Sequence, residues 1–179
     1  MTLTLSQDYA VRCAGPSDIH EHLPTLFQAV LDCPSREPYI VECGVRSGNS
    51  TAALLYGLMV RQAGSLLSID PAVPDVPDFW FGNPHWTYLR GDDTDPAVTA
   101  DIDHGIDIAF IDTSHTYEHT MRELRVYWHR MRKGGVMFFH DTETEGCGVK
   151  AALREFLGQE GNRWTNQTNC YGLGRAVRM

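Results

Sequence analysis

The chain has 179 residues and a formal net charge of −8 at pH 7, and 42% of its residues are hydrophobic. This size and composition predict one globular domain with a sizeable core, and the negative charge argues against a nucleic-acid partner. No apolar run is long enough for a membrane span, and residues 1–6 lack a signal-peptide pattern. The five cysteines are odd in number and lack paired metal-type spacing, so we expect reduced thiols and a cytoplasmic protein.

The segment before the first strand is expected to be partly helical. Residues 1–16 show no clear periodicity, whereas Pro24 and the apolar residues after it predict a short amphipathic helix. We therefore expect one domain over the whole chain, with a helical N-terminal segment at 1–35 and a core at 36–179.

A glycine-rich turn follows the first predicted strand, residues 38–43, and leads into a helix. Gly44 and Gly48 allow the backbone to approach a ligand closely, and Ser50 is a natural cap residue. Free N–H groups at the helix start suit a carboxylate or phosphate, whereas Glu42 suits a cation, so a zwitterionic ligand such as an amino acid would fit. The alternative is a turn whose glycines serve packing only.

The second predicted strand, residues 66–70, ends in Asp70, 22 residues beyond Gly48. An acid at this point commonly holds ribose hydroxyls in nucleotide-binding α/β folds, so the turn and the acid together favour a nucleotide site. Alone, Asp70 would be an ordinary turn residue before Pro71. The proline-rich and aromatic segment 71–86 is either a lid over the pocket or a cap on the core.

Strands and helices alternate along the rest of the chain. Strands are predicted at 86–90, 106–111 and 136–139, helices at 49–62, 117–131 and 149–157, and an antiparallel hairpin at 163–177. This alternation predicts an α/β fold with a doubly wound, mostly parallel sheet, whose ligands lie beyond the carboxyl ends of the strands. Six acidic or histidine residues stand at these ends: Glu42, Asp70, Asp92, Asp112, His140 and Asp141.

The glycine loop, the acid ending strand two and the turn Gly91-Asp92-Asp93 resemble the class I S-adenosylmethionine-dependent methyltransferases. The resemblance covers about residues 36–179 and implies a seven-stranded, Rossmann-like sheet with an antiparallel C-terminal strand, and S-adenosylmethionine as cofactor. A nicotinamide site fits less well, because Arg46 stands where G-x-G-x-x-G needs its middle glycine. The implied cofactor-binding residues are Glu42, Gly44, Gly48, Ser50, Asp70, Asp92, Asp93 and Asp112.

A narrower resemblance, to the small metal-dependent O-methyltransferases of the catechol and the sugar and antibiotic-tailoring types, lies in the second half of the chain. It is carried by Asp112, His115 and the pair His140-Asp141. In that family an acid ending strand four and a polar pair ending strand five bind Mg²⁺, which implies Asp112, His140 and Asp141 as ligands of Mg or Mn here. Because imidazole suits Mn, Fe, Ni or Zn better than Mg, three alternatives stay open: His140 ligates a softer ion, acts as a base or substrate contact, or no metal binds.

The resemblance implies methyl transfer to a hydroxyl of a small molecule, with His115 and His140 as the catalytic histidines. His115 stands where the catechol type keeps a lysine base and could take the proton; the alternative is a local hydrogen bond at a helix start. A metal-dependent hydrolase and a non-catalytic nucleotide-binding module also remain open. We expect no nucleic-acid or membrane partner, and the aromatic loop 71–86 is compatible with a homodimer.

Overall fold

The computed structural model describes residues 3–179, in which seven strands form one sheet with helices on both faces. The strands are β1 (Tyr39–Cys43), β2 (Ser65–Asp70), β3 (Trp86–Arg90), β4 (Ile106–Ile111), β5 (Met131–His140), β6 (Trp164–Gln167) and β7 (Leu173–Val177). The helices are α1 (Leu5–Ala14), α2 (Leu23–Leu31), α3 (Asn49–Arg61), α4 (Pro96–Thr99), α5 (Tyr117–Tyr127) and α6 (Val149–Gln159). Among the described helices, none combines the length and hydrophobicity that crossing a bilayer requires.

The strand order is β3-β2-β1-β4-β5-β7-β6. Strands β1 to β5 pair in parallel, and β7 runs antiparallel to both β5 and β6. The predicted doubly wound, Rossmann-like sheet with an antiparallel C-terminal strand is therefore confirmed. Between β1 and β4 the winding of the chain reverses, and ligands of such sheets bind at this switch point, beyond the carboxyl ends of the strands.

Two hydrophobic clusters cover the two faces of the sheet. One joins α1, α2 and α3 to the sheet and contains Leu54 and Phe138; the other joins α5 and α6 to it and contains Leu124 and Phe139. Phe138 and Phe139 are neighbours on β5 but lie in different clusters, because successive side chains of a strand point to opposite faces. Both faces of the central strands are thus buried, which explains why their sequences are continuously apolar.

Several elements differ from the sequence-based expectation: α4 was not predicted, and β5 begins at Met131 rather than at residue 136. Within the expected helical segment 1–35, α1 was not identified as a helix, because four of its ten residues are polar and its apolar periodicity is weak. A capping box of Thr4 and Gln7 defines its start. Helix α5 ends at Tyr127 rather than near residue 131, and a 3₁₀ turn leads directly into β5. Trp128 and Met131 are both buried and continue the apolar spacing of α5 in the sequence, although they lie in the 3₁₀ turn and in β5.

The proline-rich and aromatic segment 71–86 is anchored to the core by its two buried tryptophans, Trp80 and Trp86. Its 3₁₀ helix, Asp78–Gly82, buries Trp80, whose ring meets Trp86 edge-on at 6.0 Å between centroids. Pro71 is the residue of this segment that lines the cavity at the carboxyl ends of the strands. The placement of Trp80 favours a cap on the core over a lid on the pocket.

Candidate functional site

A cavity of about 520 Å³ lies at the carboxyl ends of the parallel strands. Its walls come from the turn after β1, the end of β2, the turn after β3 and the segment after β4. The predicted site residues that line it are Gly44, Asp70, Asp92, Asp93, Asp112 and His115. The predicted residues that lie outside its lining are Glu42, Gly48, Ser50, His140 and Asp141.

The turn after β1 requires glycine where it passes the end of β4. Gly44 has a φ of +89°, and a Cβ atom there would lie 1.9 Å from the carbonyl oxygen of Asp112. The two strand ends are also joined by a hydrogen bond of 2.9 Å from the Asp112 N–H to the Cys43 carbonyl. A side chain at position 44 would therefore push Asp112 away from the turn.

Asp70 both lines the cavity and holds the turn. Its Oδ2 accepts hydrogen bonds from the backbone N–H groups of Val45 at 2.8 Å and Arg46 at 3.2 Å, and its Oδ1 accepts one from Ala72 at 2.8 Å. A carboxylate has about four lone-pair sites, so it retains capacity to accept a hydroxyl from a ligand. The acid ending β2 thus faces the cavity, as the sequence predicted.

Glu42 is fully buried behind the cavity rather than exposed in it. Its carboxylate accepts hydrogen bonds from the hydroxyls of Ser50 at 2.6 Å, Thr51 at 2.8 Å and Ser68 at 2.5 Å. Burial raises the pKa of Glu42 to about 7, and the three hydroxyls oppose that rise. Glu42 and Ser50 therefore connect β1, β2 and the start of α3, and neither reaches the cavity in this structure.

The turn after β3 contributes one exposed and one buried acid. Asp92 accepts hydrogen bonds from the N–H and hydroxyl of Thr94, which lower its pKa. Asp93 is buried; its Oδ1 lies 2.9 Å from Nε2 of His119, and its carbonyl accepts a hydrogen bond from the Tyr127 hydroxyl at 2.6 Å. His119 also lines the cavity, and sequence analysis did not identify it.

A second unpredicted residue, Glu123 of α5, lies fully buried beside Asp93 and His119. Its Oε1 accepts a hydrogen bond from the Thr113 hydroxyl at 2.5 Å and lies 3.5 Å from Nε2 of His119. Burial, followed by the charge of Asp93, raises the pKa of Glu123 well above its ordinary value. Glu123 thereby fixes Thr113, the residue that follows Asp112, from inside the protein.

Four predicted residues converge where β4 and β5 end. Nε2 of His115 lies 2.9 Å from Oδ1 of Asp112 and 3.1 Å from Oδ2 of Asp141. Nδ1 of His140 lies 3.0 Å from the same Asp141 oxygen and 3.5 Å from the same Asp112 oxygen. His115 and Asp141 both have a φ of +58°, a conformation that non-glycine residues rarely adopt and that clusters at functional sites.

The orientation of the His140 ring is set by two backbone carbonyls. Its Nε2 lies 3.2 Å from the carbonyl oxygen of Asp18 and 3.1 Å from that of Cys170. Because carbonyls only accept hydrogen bonds, this nitrogen carries a proton, and Nδ1 faces Asp112 and Asp141. The buried His140 is thus fixed with one defined nitrogen toward the cluster.

Opposite charges dominate the protonation of the cluster. Burial lowers the pKa of His140, but the carboxylates of Asp112 and Asp141 outweigh it and raise the pKa to about 10. Burial in turn raises the pKa of Asp112, but the two histidines outweigh it and hold that pKa well below its usual range. The hydrogen bond to Asp112 is the main cause that raises the pKa of His115. When both histidines are protonated, their two positive charges balance the two carboxylates.

The donor set fits a divalent metal ion. Asp112, His140 and Asp141 each offer one ligand atom, and these atoms lie within 4.8 Å of one another. A metal-ligating histidine usually donates its other N–H to a carbonyl or carboxylate, as His140 does here. Two carboxylates with one imidazole suit Mn²⁺, Fe²⁺ or Zn²⁺ better than Mg²⁺, which prefers oxygen ligands alone.

Residues from both ends of the chain surround His140 and were not predicted as part of the site. The ring of His22 is fully buried and meets that of His140 edge-on at 5.9 Å between centroids. Burial, followed by the charge of His140, lowers the pKa of His22. The thiol of Cys170 lies 2.8 Å from the Asp18 carbonyl oxygen, which joins the β6–β7 turn to the segment before α2. The one sequence signal was the pair of histidines at 20 and 22.

Comparison with known proteins identifies the fold and the family. The structure is similar to the apo structure of CalS11, a TDP-rhamnose 3′-O-methyltransferase of calicheamicin biosynthesis, with 17% identity over 97% of this chain and 92% of that chain and a TM-score of 0.66. It is similar to the O-methyltransferase NovP, with 18% identity over 97% and 89% of the two chains and a TM-score of 0.70. The mycinamycin-pathway methyltransferase MycE, solved with Mg and SAH, matches with 16% identity over 99% of this chain and 55% of that chain and a TM-score of 0.67.

These identities are low, so the structural matches by themselves show only a shared fold. No curated protein matches the chain in sequence. A family model described as a methyltransferase domain matches residues 41–142, from β1 through the end of β5, which is more than half of the chain. The matched region contains the cavity and the cluster at the ends of β4 and β5. The chain therefore belongs to this methyltransferase domain family.

Proposed function

We propose that the protein transfers a methyl group from S-adenosylmethionine to a hydroxyl of a small molecule, with a divalent metal ion at the ends of β4 and β5. Family membership supports methyl transfer. Relatives in fold include a TDP-rhamnose 3′-O-methyltransferase and an enzyme solved with Mg and SAH, which supports a hydroxyl acceptor and a metal.

The observation that carries the proposal is that the cavity and the metal-type cluster share two residues. Asp112 and His115 line the cavity, and both belong to the cluster with His140 and Asp141. A methyl donor in the cavity would therefore lie next to a group that can take a proton. A metal-dependent hydrolase would leave the cavity unused, and a nucleotide-binding module would leave the cluster unused.

The cofactor would occupy the cavity with its ribose at Asp70. At Gly44, which has no side chain, the cofactor would approach the backbone of the turn closely. Asp92 and Asp93 line the wall where its adenine would lie. Asp112 closes the cavity at the transfer end. We assign Glu42, Gly48 and Ser50 to shaping the turn and the start of α3, because Glu42 and Ser50 are buried behind the cavity and Gly48 packs against Trp80.

Asp112, His140 and Asp141 would hold the divalent ion; of Mg²⁺ and Mn²⁺, the imidazole of His140 favours Mn²⁺. When bound, such an ion lowers the pKa of a hydroxyl and orients it. Asp141 is itself held by the Thr144 hydroxyl, and His140 by the two carbonyls, so the ligand atoms are fixed in advance.

S-adenosylmethionine would supply a methyl group on a sulfonium sulfur, and the acceptor oxygen would displace that sulfur from the methyl carbon. His115 accepts the hydroxyl proton. Because its Nε2 donates to the carboxylates of Asp112 and Asp141, Nδ1 is the nitrogen assigned to this role, and the carboxylates stabilise the resulting imidazolium. The rest of the acceleration comes from alignment of the two reactants.

Titration calorimetry with S-adenosylhomocysteine, with and without Mn²⁺ or Mg²⁺, tests the proposal. We expect the nucleoside to bind and the metal to bind in its presence, and methyl transfer to be lost in EDTA. Metal binding without nucleoside binding would support the hydrolase instead. Nucleoside binding without metal binding, with full transfer activity in EDTA, would support metal-free methyl transfer.

A further inference from the structure

A cysteine lies beside the catalytic cluster and has no part in the proposed reaction. Cys147 follows β5 in the segment that leads to α6, and its thiol is free and half-buried. One ligand atom each from Cys147, His115 and Asp141 lie within 4.8 Å of one another. This group shares Asp141 with the proposed catalytic metal ligands. Its other two ligands are the imidazole of His115 and the thiol of Cys147, in place of Asp112 and His140.

The backbone holds Cys147 in this position. The N–H of Gly148 donates a hydrogen bond of 2.8 Å to the carbonyl of His115, and the Cys147 N–H lies 3.2 Å from the carbonyl of Thr144. A Cβ atom at position 148 would lie 2.1 Å from the backbone nitrogen of Tyr117, so only glycine allows this close packing. The segment around Cys147 therefore packs against the turn that contains His115, and this packing places the Cys147 thiol near the His115 ring.

The chemistry of these three side chains differs from that of the catalytic ligands. Thiolate, imidazole and carboxylate are the ligands that Zn²⁺ takes in proteins, with three protein ligands and one open position in sites of the catalytic kind. Mg²⁺ takes oxygen ligands and has no preference for sulfur. Binding of a soft ion releases the thiol proton to solvent, since the thiolate is the ligand.

We propose that His115, Asp141 and Cys147 form an inhibitory site for a soft divalent ion of the Zn²⁺ class. An ion at this site engages the ring of His115 and so removes it from proton transfer. It also binds Asp141, which the proposed catalytic ion needs, so the two ions compete for this carboxylate. The inhibitory consequence rests on the proposed role of His115 in methyl transfer, whereas the binding site itself does not.

Cobalt(II) is the probe for the site, because it takes the same ligands as zinc and absorbs in the near ultraviolet when a thiolate is bound. We expect Co²⁺ to give a thiolate charge-transfer band in the wild-type protein that Zn²⁺ removes by displacement. The Cys147→Ser variant should lack the band, and its Zn²⁺ affinity, measured against a chromophoric chelator, should fall by about 10–100-fold or more. Cys13→Ser is the matched control, because Cys13 lies in α1 and belongs to no such group among residues 3–179.

A measurement on the unaltered protein covers the case in which Cys147→Ser does not fold. Zn²⁺ should slow the alkylation of Cys147, followed by mass spectrometry, whereas Mg²⁺ should not. A cobalt band that persists in a folded Cys147→Ser variant, or alkylation of Cys147 that Zn²⁺ leaves unchanged, would overturn the site.

Inhibition is measured separately, as the Zn²⁺ concentration that halves each protein's own transfer activity. We expect this concentration to rise at least tenfold in Cys147→Ser and to stay unchanged in Cys13→Ser. Equal inhibition of all three proteins, with the cobalt band present, would overturn the inhibitory role alone. A protein that shows the band but transfers no methyl group would refute the proposed function and leave the metal site in place.

Discussion

At the scale of single residues, the position of His115 is the most consequential feature of the site. Its backbone φ of +58° costs roughly 1–3 kcal/mol in a non-glycine residue. In return, the ring reaches back over the end of β4 to Asp112 and across to Asp141. A residue held in a strained conformation by several contacts is preorganised for one task.

We expect His115→Gln to lower turnover by about 10²–10⁴-fold, because a general base contributes that much, and to leave S-adenosylhomocysteine affinity nearly unchanged. The measurement is the rate at saturating cofactor, with calorimetry as the binding control. His140→Gln is the matched comparison. Near-normal turnover in His115→Gln would show that His115 is not the base.

Asp70→Ala should weaken S-adenosylhomocysteine binding for two reasons. The variant loses the proposed ribose contact, and it leaves three backbone N–H groups of the turn and of Ala72 without their acceptor, at about 0.5–1.5 kcal/mol for each hydrogen bond. Calorimetry measures the affinity. Asp75→Ala, at an exposed acid in the following segment, should bind like the wild type. Unchanged affinity in Asp70→Ala would remove Asp70 from the site.

At the scale of secondary-structure elements, α1 supports the glycine turn from outside the sheet. Nη1 of Arg12 donates hydrogen bonds of 2.7 Å to the Ser47 carbonyl and to Oδ1 of Asn49, and its guanidinium lies 5.3 Å from the centroid of the Trp80 ring. The helix that sequence analysis did not identify therefore holds the turn and the aromatic segment together. The sequence does not reveal this role, because Ser47 and Asn49 lie 35 and 37 residues after Arg12 in the chain.

Arg12→Ala should consequently lower both the midpoint of thermal unfolding and cofactor affinity, although Arg12 does not line the cavity. The variant loses three hydrogen bonds, one of them to Asp8, and a cation–π contact, which together account for a destabilisation of about 2–5 kcal/mol. Differential scanning calorimetry and nucleoside titration provide the two readouts. Arg36→Ala, which alters an exposed arginine before β1, serves as the control. A stable Arg12→Ala variant with normal affinity would argue against support of the turn by α1.

At the scale of the whole molecule, the fold was more predictable than the site. Strands such as Ile106–Ile111 are buried at every position, so they appear in the sequence as short apolar runs. The acids at the strand ends were predicted for the same reason, since they directly follow those runs. Asp18 and His22 could not be predicted, because their contacts with His140 and Gln167 span 122 and 145 residues of sequence. Glu42 was expected at the cavity because it ends a strand. The sequence does not reveal that three hydroxyls hold its carboxylate inside the protein.

Buried Glu42 should make the stability of the whole molecule depend on pH. Its pKa is about 7 in the folded protein and about 4.3 in an unfolded chain, so the folded state binds more protons between these values. The protonated carboxyl group therefore contributes to the free energy of unfolding at low pH, and this contribution is lost as the pH rises through about 7. Glu42→Gln, which stays neutral, should gain up to about 3 kcal/mol relative to the wild type between pH 4 and pH 8.

Denaturant unfolding of both proteins at several pH values measures this difference. Comparison with Glu42→Gln removes the contributions of all other titrating groups, because they are present in both proteins. A stability difference that stays constant from pH 4 to pH 8 would show that Glu42 titrates at its ordinary pKa and that the three hydroxyls fully offset its burial.

The contact between Gly44 and Asp112 joins two equilibria. Asp112 lines the cavity and also belongs to the cluster, and its backbone lies against the turn that we propose receives the cofactor. A ligand that moves the turn therefore moves a carboxylate of the other site. Thermodynamic linkage then requires that the nucleoside change the affinity for the ion by the same factor as the ion changes the affinity for the nucleoside. This coupling is a property of the two binding equilibria, so it exists before any chemistry takes place.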